Sequence, residues 1–238
     1  MDSQSLQLDV FWQELESRIA KYDLLCHPFY QAWSAGTLTR DDLRTYAGNY
    51  YQHVAAFPTY LATLYSRLQD SELRHAVAAN LADEEGLHGN LASRPHNELW
   101  LDFAEGMGAS REQARMAEPV SEIAGLVAHF RRVTGEGSAA EALASFYAYE
   151  SQVPRVAKEK ARGLSVMYGA DAKTCGYFTL HTTADVYHSN VWREELTKLV
   201  RDDEDAQERA LVAAENAARC LWRALDGIER ERQQRLAA

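Results

Sequence analysis

Cysteine, proline and long apolar runs are all scarce in this chain of 238 residues. The three cysteines, Cys26, Cys175 and Cys220, are widely spaced and odd in number, with no CxxC pair. That argues against a disulfide framework, a thiolate zinc site or dithiol redox chemistry, and predicts reduced thiols packed at helix flanks. With only five prolines, long helices can run, and Ala, Leu, Glu and Arg recur in them. The composition predicts an all-α protein. No apolar run approaches the roughly 20 residues that cross a bilayer, and MDSQSLQLDV has neither the charged nor the apolar region of a signal peptide. A soluble, cytoplasmic chain with no membrane partner is expected. Positive charge is also short, with 25 Lys and Arg against 35 Asp and Glu and a formal charge of −10, which argues against nucleic acid as a partner. RDDEDAQERA and ERERQQR read as solvated, mixed-charge helix surfaces. The length suits one domain over 1–238, with a homodimer as the expected assembly.

Periodicity predicts seven or eight helices. Phe11, Leu15, Ile19 and Tyr22 mark the first, and Pro28 opens a short second through Trp33, ended by a turn at Gly36. Thr39 caps a long third helix to about Leu68, bent at Pro58. Others are expected over 71–87, 95–107 and 119–133, then from GEGS to about Tyr168 with an interruption at Pro154, through the 177–192 stretch, and over 205–230.

The chemistry concentrates in YFTLHTTADVYHSNVW, which has no Gly or Pro and sets His181, Asp185 and His188 at i, i+4 and i+7. At about 100° per residue these fall within roughly 60° of one another on one helical face. Phe178, Ala184, Val191 and Trp192 extend the same stripe, so the polar groups point at a core. Two imidazoles and an acid there suit iron, manganese or zinc; the alternative is a hydrogen-bonded polar face. Two further acids lie on apolar stripes, Glu150 behind Leu143, Phe146 and Tyr147, and Glu84 behind Val77 and Leu81. A buried carboxylate neutralises or finds a cation, here a metal or an arginine such as Arg155. Downstream of Glu84 stand His88, at i+4 and in ExxH spacing from Glu85, and His96 in PHNELW. Spacing leaves both open.

The phrases HPFYQAWSAGTLT, YYQHVAAFPTYL, NLADEEG, PHNELW, FYAYESQVPRVAKEKARGL and YFTLHTTADVYH resemble the haem-oxygenase-like di-metal oxidases, in particular those that make para-aminobenzoate. The resemblance runs from about Phe11 to Leu199 and implies a seven-helix, haem-oxygenase-like bundle without haem. It implies metal ligands at Glu84, His96, Glu150, His181, Asp185 and His188. The insert GLHGNLASRP before His96 departs from the family pattern and keeps His88 as the other candidate. Three acids and three imidazoles hold two divalent ions, Fe/Fe, Mn/Fe or Mn/Mn, with positions open to dioxygen. The implied reaction uses dioxygen and an external reductant to cut the ring of para-aminobenzoate from the chain's own Tyr30, with Lys160 as nitrogen donor and Tyr46, Tyr149 and Tyr177 as radical relays. By themselves, a tyrosine reads as core packing and Lys160 as a solvated helix residue. Competing readings are oxidation of a diffusible amino acid or fatty acid, and a death-domain interaction module with a structural metal. The same bundle hosts metal-free thiamin-pathway and quinone-cofactor enzymes, against which the six-residue set argues.

Overall fold

A computed structural model describes residues 3–87 and 93–237, with helices and no strands among them. The expected all-α fold is found, divided more finely than periodicity suggested. The helices are α1 (Ser3–Ala20), α2 (Pro28–Ser34), α3 (Arg40–Arg67), α4 (Ser71–Glu84), α5 (His96–Gly106), α6 (Arg111–Met116), α7 (Ser121–Glu136), α8 (Ala139–Glu150), α9 (Val153–Tyr168), α10 (Gly176–His181), α11 (Ala184–Val200) and α12 (Glu204–Leu236). No helix is long and apolar enough to cross a membrane, among the described residues.

Local chemistry sets most boundaries. Thr39 and Asp42 form a capping box at the start of α3, and Ser138 and Glu141 do the same for α8. His27 caps α2, its Nδ1 accepting the Phe29 N–H at 3.1 Å, with Pro28 in the first turn where its missing N–H costs nothing. Pro58 sits inside α3, and Pro154 lies in the first turn of α9, so the expected interruption falls at Ser151 and Gln152. The short helix α6, capped by Ser110 and Gln113, was not anticipated.

The core is built by α12 lying along α8 and α7, α3 against α7, and α11 against α8. Its largest fully buried side chains include Trp33, Trp100, Trp192, Tyr46 and Tyr60. One close approach fixes the geometry that follows. A Cβ at Gly163 of α9 would stand 2.7 Å from the Trp33 indole, so only glycine lets α2 lie this near. The Trp33 indole N–H then donates to the Lys160 carbonyl at 3.3 Å, locking α2 onto α9. The three cysteines are free thiols, Cys26 exposed, Cys220 half-buried and Cys175 buried.

Candidate metal centre

Five of the six expected ligands stand at helix ends. Glu84 closes α4, His96 opens α5, Glu150 closes α8, His181 closes α10, and Asp185 lies in the first turn of α11 with His188 one turn on. Helix ends let side chains from separate elements converge without threading through a packed interior. All six are buried, between 1% and 6% exposed. They form two trios, Glu84 with His96 and His181, and Glu150 with Asp185 and His188. Within each trio the potential ligand atoms lie within 4.8 Å of one another.

The single helix expected to carry His181, Asp185 and His188 is corrected to two. It breaks at Thr182 and Thr183, whose N–H groups bond three residues back to Thr179 and Leu180 while their hydroxyls bond the same carbonyls at 2.7 and 3.3 Å. Threonine hydroxyls compete with the helical ladder in this way without glycine or proline. The break sends His181 to one trio and Asp185 with His188 to the other.

In the first trio, His96 Nδ1 is 3.0 Å from Glu84 Oε1, and the His96 and His181 rings meet edge to face at 4.7 Å. His181 Nδ1 lies 2.7 Å from the Tyr177 carbonyl, so as an N–H it donates there and leaves Nε2 for the trio. In the second, His188 Nδ1 is 3.5 Å from Asp185 Oδ1 and 3.9 Å from Glu150 Oε1, while Nε2 is 2.9 Å from Asp83 Oδ2. Glu150 also accepts the Trp192 indole N–H and, at 3.4 Å, the Asn80 amide. Arg155 pairs with Asp23, so the arginine considered for Glu150 is engaged elsewhere. His88 lies outside the described residues.

Charge in this site is held by mutual attraction. Burial pushes the Glu150 carboxyl up to about 8, only partly offset by His188. Burial pulls His188 down, but Asp185, Glu150 and Asp83 outweigh it and raise its pKa to about 10. Burial likewise opposes the charged forms of Glu84 and His96, yet their pairing holds the Glu84 carboxyl below and the His96 imidazole above their ordinary values. Burial keeps His181 below its usual range.

The donor set fits a metal centre. Asp185 Oδ2 and His188 Nδ1 are buried without hydrogen-bond partners, and such atoms are costly unless a ligand satisfies them. Three carboxylates and three neutral imidazoles around two divalent ions leave a small positive charge, and mixed nitrogen and oxygen donors suit iron or manganese.

A second cluster stands beside the first. Lys160 is 6% exposed, which corrects its reading as a solvated residue: the α2–α9 contact through Gly163 seals it in. Its Nζ donates to the Tyr30 and Tyr46 hydroxyls, each at 2.6 Å, and those hydroxyls are 2.9 Å apart. Nζ also lies 4.1 Å from the Tyr30 ring centroid. Burial alone pulls the amine far below its ordinary pKa, with no carboxylate to hold its charge, so the neutral form is favoured. Burial pushes the Tyr30 and Tyr46 phenols well above theirs.

Tyrosines join the clusters. Tyr177 stacks on His181 at 4.0 Å and Tyr50 on Tyr46 at 5.4 Å, and Tyr149 lines the same cavity as Tyr50 and Tyr177. Sequence reasoning named Tyr46, Tyr149 and Tyr177 but missed Tyr50, which α3 places one turn after Tyr46. It also missed Asp83, Asn80 and Trp192; the adjacent acids of NLADEEG were the available signal for Asp83. The cavity between the clusters, lined by Tyr30, Tyr50, Trp100, Tyr149, Lys160 and Tyr177 among others, measures about 20 Å³, room for one water molecule.

The family described as iron-containing redox enzymes matches residues 44–222. Over 219 residues the chain is 39% identical to a 4-aminobenzoate synthase of Chlamydia muridarum, covering 92% of this chain and 89% of that one. A 4-aminobenzoate synthase of Nitrosomonas europaea is 37% identical over 230 residues, covering 92% and 91%. Among solved structures, a Shewanella denitrificans protein with a heme oxygenase-like fold superposes with a TM-score of 0.78 at 17% identity, covering 98% of this chain and 94% of that one. That last likeness concerns the fold alone.

Proposed function

The chain belongs to the family of iron-containing redox enzymes, with a haem-oxygenase-like fold, and from that premise we propose that it is a dioxygen-dependent synthase that forms 4-aminobenzoate, a folate precursor, from its own Tyr30 and Lys160. The name carried by its relatives supplies the product. The observation that carries the self-consuming reading is the contact of Lys160 Nζ with the Tyr30 hydroxyl, 2.6 Å, beside a cavity of only about 20 Å³. A free aromatic amino acid or a fatty acid needs more than one water's volume, so the aromatic rings in reach of the amine are the chain's own, with the Tyr30 ring nearest at 4.1 Å and Tyr46 at 4.8 Å.

Glu84, His96 and His181 hold one metal ion and Glu150, Asp185 and His188 the other, drawn from iron and manganese. When bound, the ions activate dioxygen for oxidation of a phenol, with electrons from an external reductant. Lys160, whose burial favours the neutral amine, presents its nitrogen beside the Tyr30 phenol; transfer would form a ring C–N bond, break the ring C–O and lysine Cε–Nζ bonds and release the phenol oxygen as water, with dioxygen and the external reductant supplying the redox balance. Tyr46 holds the other N–H of that amine and the Tyr30 hydroxyl, fixing the two side by side. Tyr50, Tyr149 and Tyr177 span the gap to His181 and carry the oxidation across it. The surrounding aromatic wall excludes water from a radical formed there.

Intact-protein mass before and after a single reaction with metal, reductant and oxygen tests this reading. A mass loss accompanied by no more than one equivalent of 4-aminobenzoate per chain is expected, without any added aromatic compound. Many turnovers with unchanged protein mass would instead support a diffusible substrate.

A further inference from the structure

We propose that Asp83 is a positioning residue for the second trio, fixing which nitrogen of His188 faces the metal; this rests on the reading of Glu150, Asp185 and His188 as ligands. Asp83 and Glu84 are consecutive at the end of α4, so their side chains diverge by about 100°. Glu84 turns inward to His96. Asp83, its side chain 28% exposed, reaches across to α11 and takes His188 Nε2 at 2.9 Å.

An imidazole has two nitrogens, and the contact with Asp83 decides between them. With Nε2–H donated to the carboxylate, Nδ1 is left to ligate, and Nδ1 is the buried atom without a hydrogen-bond partner, 3.5 Å from Asp185 and 3.9 Å from Glu150. A carboxylate behind a ligating imidazole also makes it a stronger donor. The two trios differ here. His181 is oriented by the Tyr177 backbone carbonyl, which no side-chain substitution removes, whereas His188 depends on one side chain at the rim. The inference therefore predicts a selective effect: losing Asp83 weakens the Glu150–Asp185–His188 half and spares the other.

The test uses the full-length, metal-free protein titrated with Mn(II) and followed by calorimetry, in the parent and in Asp83→Ala, Asp83→Asn and Asp83→Glu. The parent binds two ions. In Asp83→Ala one ion binds with parental affinity and the other about 10- to 100-fold more weakly. Asp83→Asn, which keeps an acceptor without the charge, falls between, and Asp83→Glu recovers most of the loss. In the Zn(II)-loaded protein, nitrogen NMR of labelled histidine finds His188 protonated at Nε2 in the parent and losing that single tautomer in Asp83→Ala, a change that general loosening of the fold does not produce. If Asp83→Ala fails to fold, Asp83→Asn carries the same comparison. Parental affinity for both ions in the Ala and Asn variants, or equal weakening of both, overturns the role of Asp83 while leaving the metal centre standing. A parent that binds fewer than two ions overturns the ligand assignment itself, and the positioning role with it.

Discussion

Excision of the Tyr30 ring would leave a hole in the aromatic core. Tyr30 is 3% exposed and packs edge-on against Trp33 and Tyr46, with ring centroids at 6.5 and 6.2 Å. Truncating a buried aromatic to alanine costs about 3–5 kcal/mol, and a residue reduced to a glycine-like stub inside a helix loses about 1 kcal/mol more. For a chain of this length each kcal/mol moves the melting temperature by about 2–4 °C, so one reaction should lower it by on the order of 10 °C or more. The assay is scanning calorimetry on one preparation before and after reaction, stripped of metal both times so that ion binding does not contribute, with intact mass read on the same samples. Unreacted Tyr30→Ala calibrates the drop, and Tyr30→Phe should stay close to the parent. A reacted chain that melts with the parent while Tyr30→Ala melts well below it would refute excision at this position.

Other expectations follow from the same geometry. Tyr30→Phe and Lys160→Arg should each abolish product while keeping both metal ions, read by elemental analysis, because neither side chain belongs to the trios; Arg also remains protonated where burial favours the neutral amine of Lys160. Glu150→Ala or His181→Ala should lose at least one ion, and full occupancy in both would sink the ligand assignment. His96→Ala should lower metal content while His88→Ala stays near the parent; the reverse would move the ligand to His88. In the metal-free protein Glu150 and His188 each favour a lower melting temperature as pH rises. Glu150 contributes stability that is complete below about 4.5 and lost toward about 8, and His188 adds the same trend from about 6.5 toward about 10. Melting curves of Glu150→Gln should flatten in the lower window; an unchanged slope would exclude Glu150 as its source.

Much of this arrangement was legible in the chain because it rests on local chemistry. Pro28, Thr39 and Pro154 mark helix starts by the groups they lack or supply, and the apolar stripes behind Glu84 and Glu150 announced buried acids. What escaped depends on contacts distant in sequence. Nothing in the HTTAD run advertises a break, since its threonines are compatible with a helix until tertiary packing favours their bonds to Thr179 and Leu180. Lys160 sits on a helix with polar neighbours, and its burial follows from a glycine three residues on admitting Trp33. His53, fully buried among aromatic rings with both nitrogens unpartnered and its pKa pulled by burial to about 3, gave no sequence signal at all.

The one-water cavity beside Lys160 has a consequence for supply. While Tyr30 is in place a second ring has no seat, and once it has gone the chain has no other tyrosine at 2.6 Å from that amine except Tyr46. Under the proposed self-consuming reaction, output would scale with the number of polypeptides made rather than with time or substrate concentration. A cell drawing on such a protein sets the size of its product pool at the ribosome, and arresting translation should halt accumulation within the lifetime of the unspent chains.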